Sequence, residues 1–333
     1  MLATFITGKD TITVKETDPP KPGPGEVLVR VRACGVCGSD LHFYDGSFPI
    51  APNVSLGHEF AGEVAELGVG VERLAVGDRV AIEPALRCER CEYCTSGRYH
   101  LCRKRDFTPK NGAMAEFITM PAYTLYKLPD GVDFELGALT EPLAVAIHGL
   151  HLVNVRAGER VLVMGAGTIG LMAVLAARSM GAEVIAIYRH DHQGDAALRV
   201  GAGRIVRDGE TQGIERESID VVVETVGGKA PTLSQALGIV RPGGRISVLG
   251  IFTQTATINA LGLALKEVTM AGGIQYCRPG LRSDFDTALG TLRDNADRAR
   301  SIITHRFPLA NAGQAFATAA DKSTKSLKVQ VQM

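Results

Sequence analysis

The chain contains no tryptophan and only 5% aromatic residues, so an aromatic-rich binding surface is not expected. It also lacks net charge: 36 Lys and Arg balance 36 Asp and Glu, leaving no global field to hold a polyanion, and nucleic acid is not an expected partner. No apolar run approaches the 18 residues that suggest a membrane span, and the first ten residues lack a basic stretch followed by an apolar one. The reading is a soluble, cytoplasmic protein with no membrane partner. Internal repeats and low-complexity tracts are absent too, which excludes solenoids and disordered linkers. What is present is an ordinary globular composition, 45% hydrophobic and 22% charged over 333 residues, long enough for about two domains. Glycine is plentiful, at 38 residues, which points to tight turns and close backbone approaches.

Periodicity changes along the chain. After the turn KPGPG (21–25), residues 26–33 alternate apolar and polar, and 60–67, 79–82 and 114–120 read as further strands, giving an all-β, barrel-like module. The PDG turn at 129–131 ends that pattern, and Asp133 is placed to cap a helix. Strands at 160–164, 182–187, 220–223 and 245–249 then alternate with helices, the first at 169–180. That is the pattern of βαβ units and a doubly wound parallel sheet. Beyond 281 come a helix, a strand at 301–307, a helix at 309–321 and a last strand at 326–332.

Four of the seven cysteines, Cys88, Cys91, Cys94 and Cys102, form C-x2-C-x2-C-x7-C in a polar segment. Such a segment does not bury four thiols, and four thiolates close a tetrahedral shell around one ion, the donor set of a structural zinc. An iron–sulfur cluster would use the same ligands, but nothing else in the chain suggests electron transfer. Arg87, Arg90, Arg98, Arg103, Lys104 and Arg105 make this loop basic; interrupted by Glu89 and Glu92, they read as a solvated face.

A second metal site is expected from CGSDLH (37–42), GHE (57–59) and EPLA (141–144). Cys37, His58 and Glu141 would supply a mixed thiolate, imidazole and carboxylate set with a vacancy, the pattern of catalytic zinc. Asp40 and Glu59 lie close enough in sequence to orient the ligands, and Ser39 and His42 could carry a proton outward.

In VLVMGAGTIG (161–170) a buried strand runs into G-x-G-x-x-G at Gly165, Gly167 and Gly170, with Thr168 and Ile169 opening a helix. This is the dinucleotide fingerprint, in which the helix N-terminus faces the pyrophosphate. Where a carboxylate would read the ribose of NAD, the chain has Tyr188, Arg189 and His190. Arg189 and His190 suit a 2′-phosphate and favour NADP, with Asp191 as an acidic neighbour.

CGSDLH, GHE, the four-Cys loop, EPLA and GAGTIG occur in the order seen in the zinc-dependent medium-chain dehydrogenase/reductase family, and the chain resembles its sorbitol (polyol) dehydrogenase branch. The resemblance implies an α/β protein with a GroES-like catalytic domain, 1–147 completed by 281–333, and a Rossmann domain, 148–280. It implies two zinc ions, one structural and one catalytic, with Cys37 and His58 as catalytic ligands and either Glu59 or Glu141 as the third. Ser39 and His42 match the family's proton relay, and 249–251 and 273–275, with Leu249, Ile251 and Ile274, its nicotinamide contacts. A homo-oligomer, dimer or tetramer, is implied through 268–274. Two residues depart from the branch: Phe43 stands in place of a Tyr and Gln275 in place of an Arg, which removes a hydroxyl and a cation from the polyol pocket and argues against sorbitol itself.

The expected activity is hydride transfer between a secondary alcohol, a polyol or cyclic sugar alcohol, and NAD(P), giving a ketone. The alternatives are an NADPH-dependent carbonyl reductase and a non-catalytic, zinc-stabilised dinucleotide sensor. Cys34 and Cys277 are left without a role.

Overall fold

The computed structural model describes residues 1–106, 112–215 and 217–333. The chain packs as two compact units, one of Met1–Glu141, Leu292–Ala296 and Ile303–Met333, the other of Pro142–Thr291 and Asp297–Ile302. They differ from the division expected from sequence in where 142–147, 281–291 and 297–302 fall. The physical reason lies at the start of the helix Asp284–Asp294: Asp284 bonds His148 and Phe285 packs edge-on against Tyr276, all within the second unit.

In chain order, the first strands are β1 (Leu2–Gly8), β2 (Thr11–Glu16), β3 (Glu26–Gly35), β4 (Glu59–Leu67), β5 (Arg79–Ile82), β6 (Phe117–Pro121) and β7 (Leu125–Lys127). They are followed by β8 (Arg160–Met164), β9 (Glu183–Tyr188), β10 (Arg204–Arg207), β11 (Ile219–Glu224), β12 (Val240–Val248) and β13 (Thr269–Gly272), and finally by β14 (Ile303–Pro308) and β15 (Lys328–Gln332).

The first unit is built on a seven-stranded sheet in the order β14-β15-β3-β4-β5-β7, with β6 on β3, beside the β1–β2 hairpin. Val27, Val29 and Val31 of β3 are fully buried and join Phe60, Ile82, Ile118 and Phe316 in one core. The tail therefore belongs to this sheet, since β15 pairs antiparallel with β3. The strand expected at 114–120 begins only at Phe117, because the residues before it pair with the first strand: Thr4 N donates to Met114 O and Glu116 N to Leu2 O. The helix expected at 309–321 is a short 3-10 turn, Leu309–Asn311, followed by the helix Ala312–Ala320.

The second unit holds a six-stranded sheet in the order β10-β9-β8-β11-β12-β13, every pair parallel. Its central strands are buried on both faces, which is why VLVM of β8 and VVV of β11 read as unbroken apolar runs. The order reverses between β8 and β11, and ligands of such sheets bind outside the carboxyl ends of the strands at that point. No helix of the described residues is long and apolar enough to cross a membrane.

Candidate active site

The four-cysteine loop turns sharply at Glu89, whose φ is +55°, and Cys91 caps the helix Glu92–Thr95. The sulfurs of Cys88 and Cys94 lie 3.9 Å apart, those of Cys91 and Cys94 3.6 Å, and those of Cys102 and Cys88 3.6 Å. A tetrahedron with metal–sulfur bonds of about 2.3 Å has edges of about 3.8 Å, so the spacing fits one ion and is far too long for disulfides. The backbone N–H groups of Arg90 and Cys91 pull the Cys88 thiol down to about 6, whereas desolvation pushes Cys94 up to about 12. Arg87 corrects the expectation of a solvated basic face. Its guanidinium lies 3.9 Å from the Tyr99 ring centroid and 4.7 Å from that of Tyr123, and it pairs with the fully buried Glu83 at 3.1 Å, so it anchors the base of the loop.

In the same unit, Cys37 ends the stretch after β3 and caps the short helix Gly38–Tyr44, and Asp40 Oδ2 accepts from the Cys37 backbone N–H at 2.9 Å. The other oxygen of Asp40 lies 3.5 Å from His58 Nδ1, orienting the ring that precedes β4. Donor atoms of Cys37, His58 and Glu59 lie within 4.8 Å of one another. Burial disfavours a charged His58 ring, but Asp40 and Cys37 outweigh it and hold the pKa well above the ordinary value. Surroundings that anionic suit a divalent cation, and the donor types fit zinc.

Glu141 stands in the first turn of the helix Thr140–Leu152, outside that group of three but in electrostatic contact with it. Desolvation, partly offset by His58, pushes its carboxyl up to about 7. Glu59 is held by a cation that the sequence reading missed. Lys328, 1% exposed on β15, donates to the two Glu59 oxygens at 2.8 and 2.6 Å and to Val36 O at 2.9 Å. A buried lysine at the foot of the last strand carries no local motif, so only the pairing of β15 with β3 reveals it. Ser39 and His42 share the helix Gly38–Tyr44, yet among the described residues no hydrogen bond joins them; the His42 ring instead packs on Phe48 with centroids 4.8 Å apart.

In the second unit, Gly165 follows β8 with φ +96°, a conformation that side chains resist. A Cβ on Gly170 would lie 1.9 Å from Gly165 O, so that position admits only glycine. Gly167 has open space where a Cβ would be, and it caps the helix Thr168–Ser179, leaving room for a phosphate at that N-terminus. Thr168 and Ile169 form the first turn of this helix. Beside the loop, Thr225 Oγ1 donates to Met164 O at 2.8 Å, and the buried Glu224 Oε1 accepts from Val226 N, Gly227 N and Thr232 Oγ1, shaping the turn after β11.

Tyr188 ends β9, and Arg189 and His190 follow it, both exposed, with their backbone N–H groups donating to Gln193 Oε1. Asp191 opens the helix Asp191–Val200 and forms an ion pair with Arg207, another cation missed from sequence, whose guanidinium lies 5.3 Å from the Tyr188 ring centroid. Leu249 is buried against Gly149, whereas Ile251 and Ile274 are exposed at the carboxyl ends of β12 and β13.

Residues 23–130 match the family model for the alcohol dehydrogenase GroES-like domain, and 168–294 that for zinc-binding dehydrogenases. The chain is 35% identical to L-idonate 5-dehydrogenase of Vitis vinifera, over 96% of this chain and 91% of that one. It is also 35% identical to sorbitol dehydrogenase of Macaca fascicularis, over 95% and 92%. A zinc-binding dehydrogenase from Sinorhizobium meliloti, solved bound to NADP, is 31% identical with a TM-score of 0.88, covering 100% of this chain and 99% of that one.

Proposed function

The chain belongs to the zinc-binding dehydrogenases with a GroES-like domain, and on that premise we propose that it is a polyol or sugar-alcohol dehydrogenase, oxidising a secondary alcohol reversibly to a ketone with NADP. The observation that carries this reading is the convergence of Cys37, His58 and Glu59 within 4.8 Å. These three would hold a catalytic zinc, with Glu141 in electrostatic contact with the group, and Cys88, Cys91, Cys94 and Cys102 a structural one. When bound, such an ion would supply Lewis acidity that makes an alcohol acidic near neutral pH, and the dinucleotide would supply the hydride acceptor.

The chain's own residues do the rest. Asp40 holds Nδ1 of His58 and leaves Nε2 for the metal. Lys328 restrains Glu59 and offsets its charge. Ser39 Oγ would take the proton of the alcohol while passing its own proton on, and the His42 imidazole, on the same short helix, would release it to solvent. Phe43 and Gln275 stand where the polyol branch has a Tyr and an Arg, and the loss of that hydroxyl and that cation makes sorbitol a less suitable substrate. Arg189 and Arg207 support NADP: one offers a cation to a 2′-phosphate, the other neutralises Asp191. That preference also favours the reductive direction, the same site acting as a carbonyl reductase.

The metal residues fall in the first unit and the dinucleotide residues in the second, which makes these the catalytic and cofactor-binding parts. β13 ends the six-stranded sheet with an open edge, and a cytoplasmic homo-oligomer, dimer or tetramer, assembled through 268–274 fits it. Replacing His58 with Ala should lower zinc from two ions per chain to one and abolish alcohol-dependent NADPH formation. If that activity persists undiminished in the zinc-depleted variant, the mechanism is wrong.

A further inference from the structure

Three residues of the second unit, His148, His151 and Cys277, meet around one buried carboxylate. Asp284, fully buried at the start of its helix, accepts from His148 Nδ1 at 2.8 Å through Oδ2 and from His151 Nδ1 at 2.7 Å through Oδ1. Oδ2 also accepts from the backbone N–H of Cys277 at 2.8 Å, and the backbone N–H of Asp284 donates to Cys277 O at 2.8 Å. Burial alone would raise this carboxyl; the two histidines and the Cys277 N–H prevail and hold it at about 2. The Cys277 sulfur lies 3.6 Å from the same His148 nitrogen. In a nucleophilic triad the thiol and the carboxylate take opposite ring nitrogens, so this cluster is not one.

Its place in the fold gives it another role. β13 is an edge strand of four residues, and beyond Gly272 its backbone is tied to the sheet through Gly273 N, which donates to Val248 O. Gly273 then packs on the helix Thr140–Leu152: a Cβ there would lie 2.6 Å from Leu152 Cδ1 and 3.2 Å from His148 Cδ2. Residues 273–277 are thus held at Gly273 by the His148 ring and at Cys277 by the Asp284 carboxylate that the same ring bonds. The intervening loop to Ser283 is left open, with Leu281 wholly exposed.

The sheet order says what this segment faces. Arg189 follows β9 and Arg207 ends β10, so both stand at the carboxyl ends of these strands, on one side of the glycine loop after β8. On the dinucleotide reading proposed above, on which this inference rests, the adenosine half takes that side. The nicotinamide half must then run the other way, over the carboxyl ends of β11, β12 and β13.

We propose that Asp284 is a positioning residue for the nicotinamide half of the cofactor, locking residues 273–277 onto the helix Thr140–Leu152 through His148 and His151. It touches no reacting atom, and its loss loosens one half of the cofactor site only.

The full-length, zinc-loaded protein tests this by calorimetric titration with two probes: the reduced dinucleotide the wild type binds, and the matching adenosine half, 2′,5′-ADP for NADPH or AMP for NADH. In Asp284→Asn the dinucleotide should bind about tenfold more weakly, the scale of a lost hydrogen bond to a charged group, while the adenosine probe changes less than twofold. The emission gain of bound dihydronicotinamide should fall, and the cofactor KM should rise more than kcat falls. Should Asp284→Asn fold poorly, His151→Asn, which removes one anchor from a partly exposed site, should show the same pattern at about threefold. Equal weakening of both probes, or no weakening of the dinucleotide, overturns the proposal. A wild type that binds neither probe overturns the dinucleotide reading itself.

Discussion

Replacing Lys328 with methionine strands the Glu59 carboxylate, and the size of the effect follows from burial. Both side chains are almost wholly inaccessible, 2% and 1% exposed, and both carboxylate oxygens are bonded to the ammonium at 2.8 Å or less. Breaking such a pair on one side costs about 3–5 kcal/mol, whereas replacing both partners with neutral groups of similar volume is close to neutral. Lys328→Met should therefore destabilise the first unit by about 3 kcal/mol or more, and the double variant with Glu59→Gln should recover most of it. Burial alone would lower the Lys328 pKa; Glu59 and Cys37 outweigh it, so the pKa is raised. The pair's contribution is then fully present below the ordinary lysine value of about 10.4 and is lost only as pH rises through the folded value, so the effect should be flat from about pH 6 to 9.

Because two units need not unfold together, the assay is backbone hydrogen exchange of β4 and β15 in metal-stripped protein. A loss of about 3 kcal/mol appears there as a more than hundredfold fall in protection. Two single variants that each shift protection by less than about 0.5 kcal/mol and add without coupling would refute the pair as described.

Cys94→Ser should remove one zinc per chain and leave the other in place, read by elemental analysis, with exchange protection lost around Glu92–Thr95; retention of both ions would count against a four-thiolate site. Arg207→Ala leaves Asp191 unneutralised beside the end of β9 and should lower the NADP-to-NAD ratio of kcat/KM by about tenfold, a modest figure because the pair is exposed. An unchanged ratio would remove Arg207 from cofactor selection. The Asp284 carboxyl is held at about 2 against 3.8 for an ordinary aspartate, so its contribution is present above about pH 4 and is lost as pH falls towards 2. Asp284→Asn should cost about 2 kcal/mol above pH 4 and flatten that acid limb in denaturation curves; a limb as steep as in the wild type would disprove the assignment.

Legibility followed sequence distance. The four-cysteine loop and the glycine fingerprint were readable because each closes on itself within a few residues, where spacing dictates geometry. The strands of the parallel sheet were readable as apolar runs, except β10 and β13, four residues each, too short to show a period. β1 and β2 escaped as well: β1 buries three of its residues whereas β2 buries none, so the hairpin carries no common alternation. At the proposed metal site, Cys37, His58 and Glu59, which the structure brings together, stand out in sequence through their flanking residues, but the restraint on Glu59 does not, because Lys328 reaches it from 269 residues away.

By itself, then, the sequence determined what local chemistry can dictate: a loop that gathers four cysteine sulfurs, a turn only glycine can make before a helix, and the alternation of strands and helices that builds a parallel sheet. Only the tertiary structure decided which charges meet. Sheet order set β15 against β3 and so Lys328 against Glu59; it set β10 beside β9 and so Arg207 against Asp191. Helix packing brought Asp284 to His148, 136 residues apart. The Lys328–Glu59 and Asp284–His148 contacts form because buried charge must find a partner, and where any of these partners lies along the chain is a matter of topology, which local spacing does not encode.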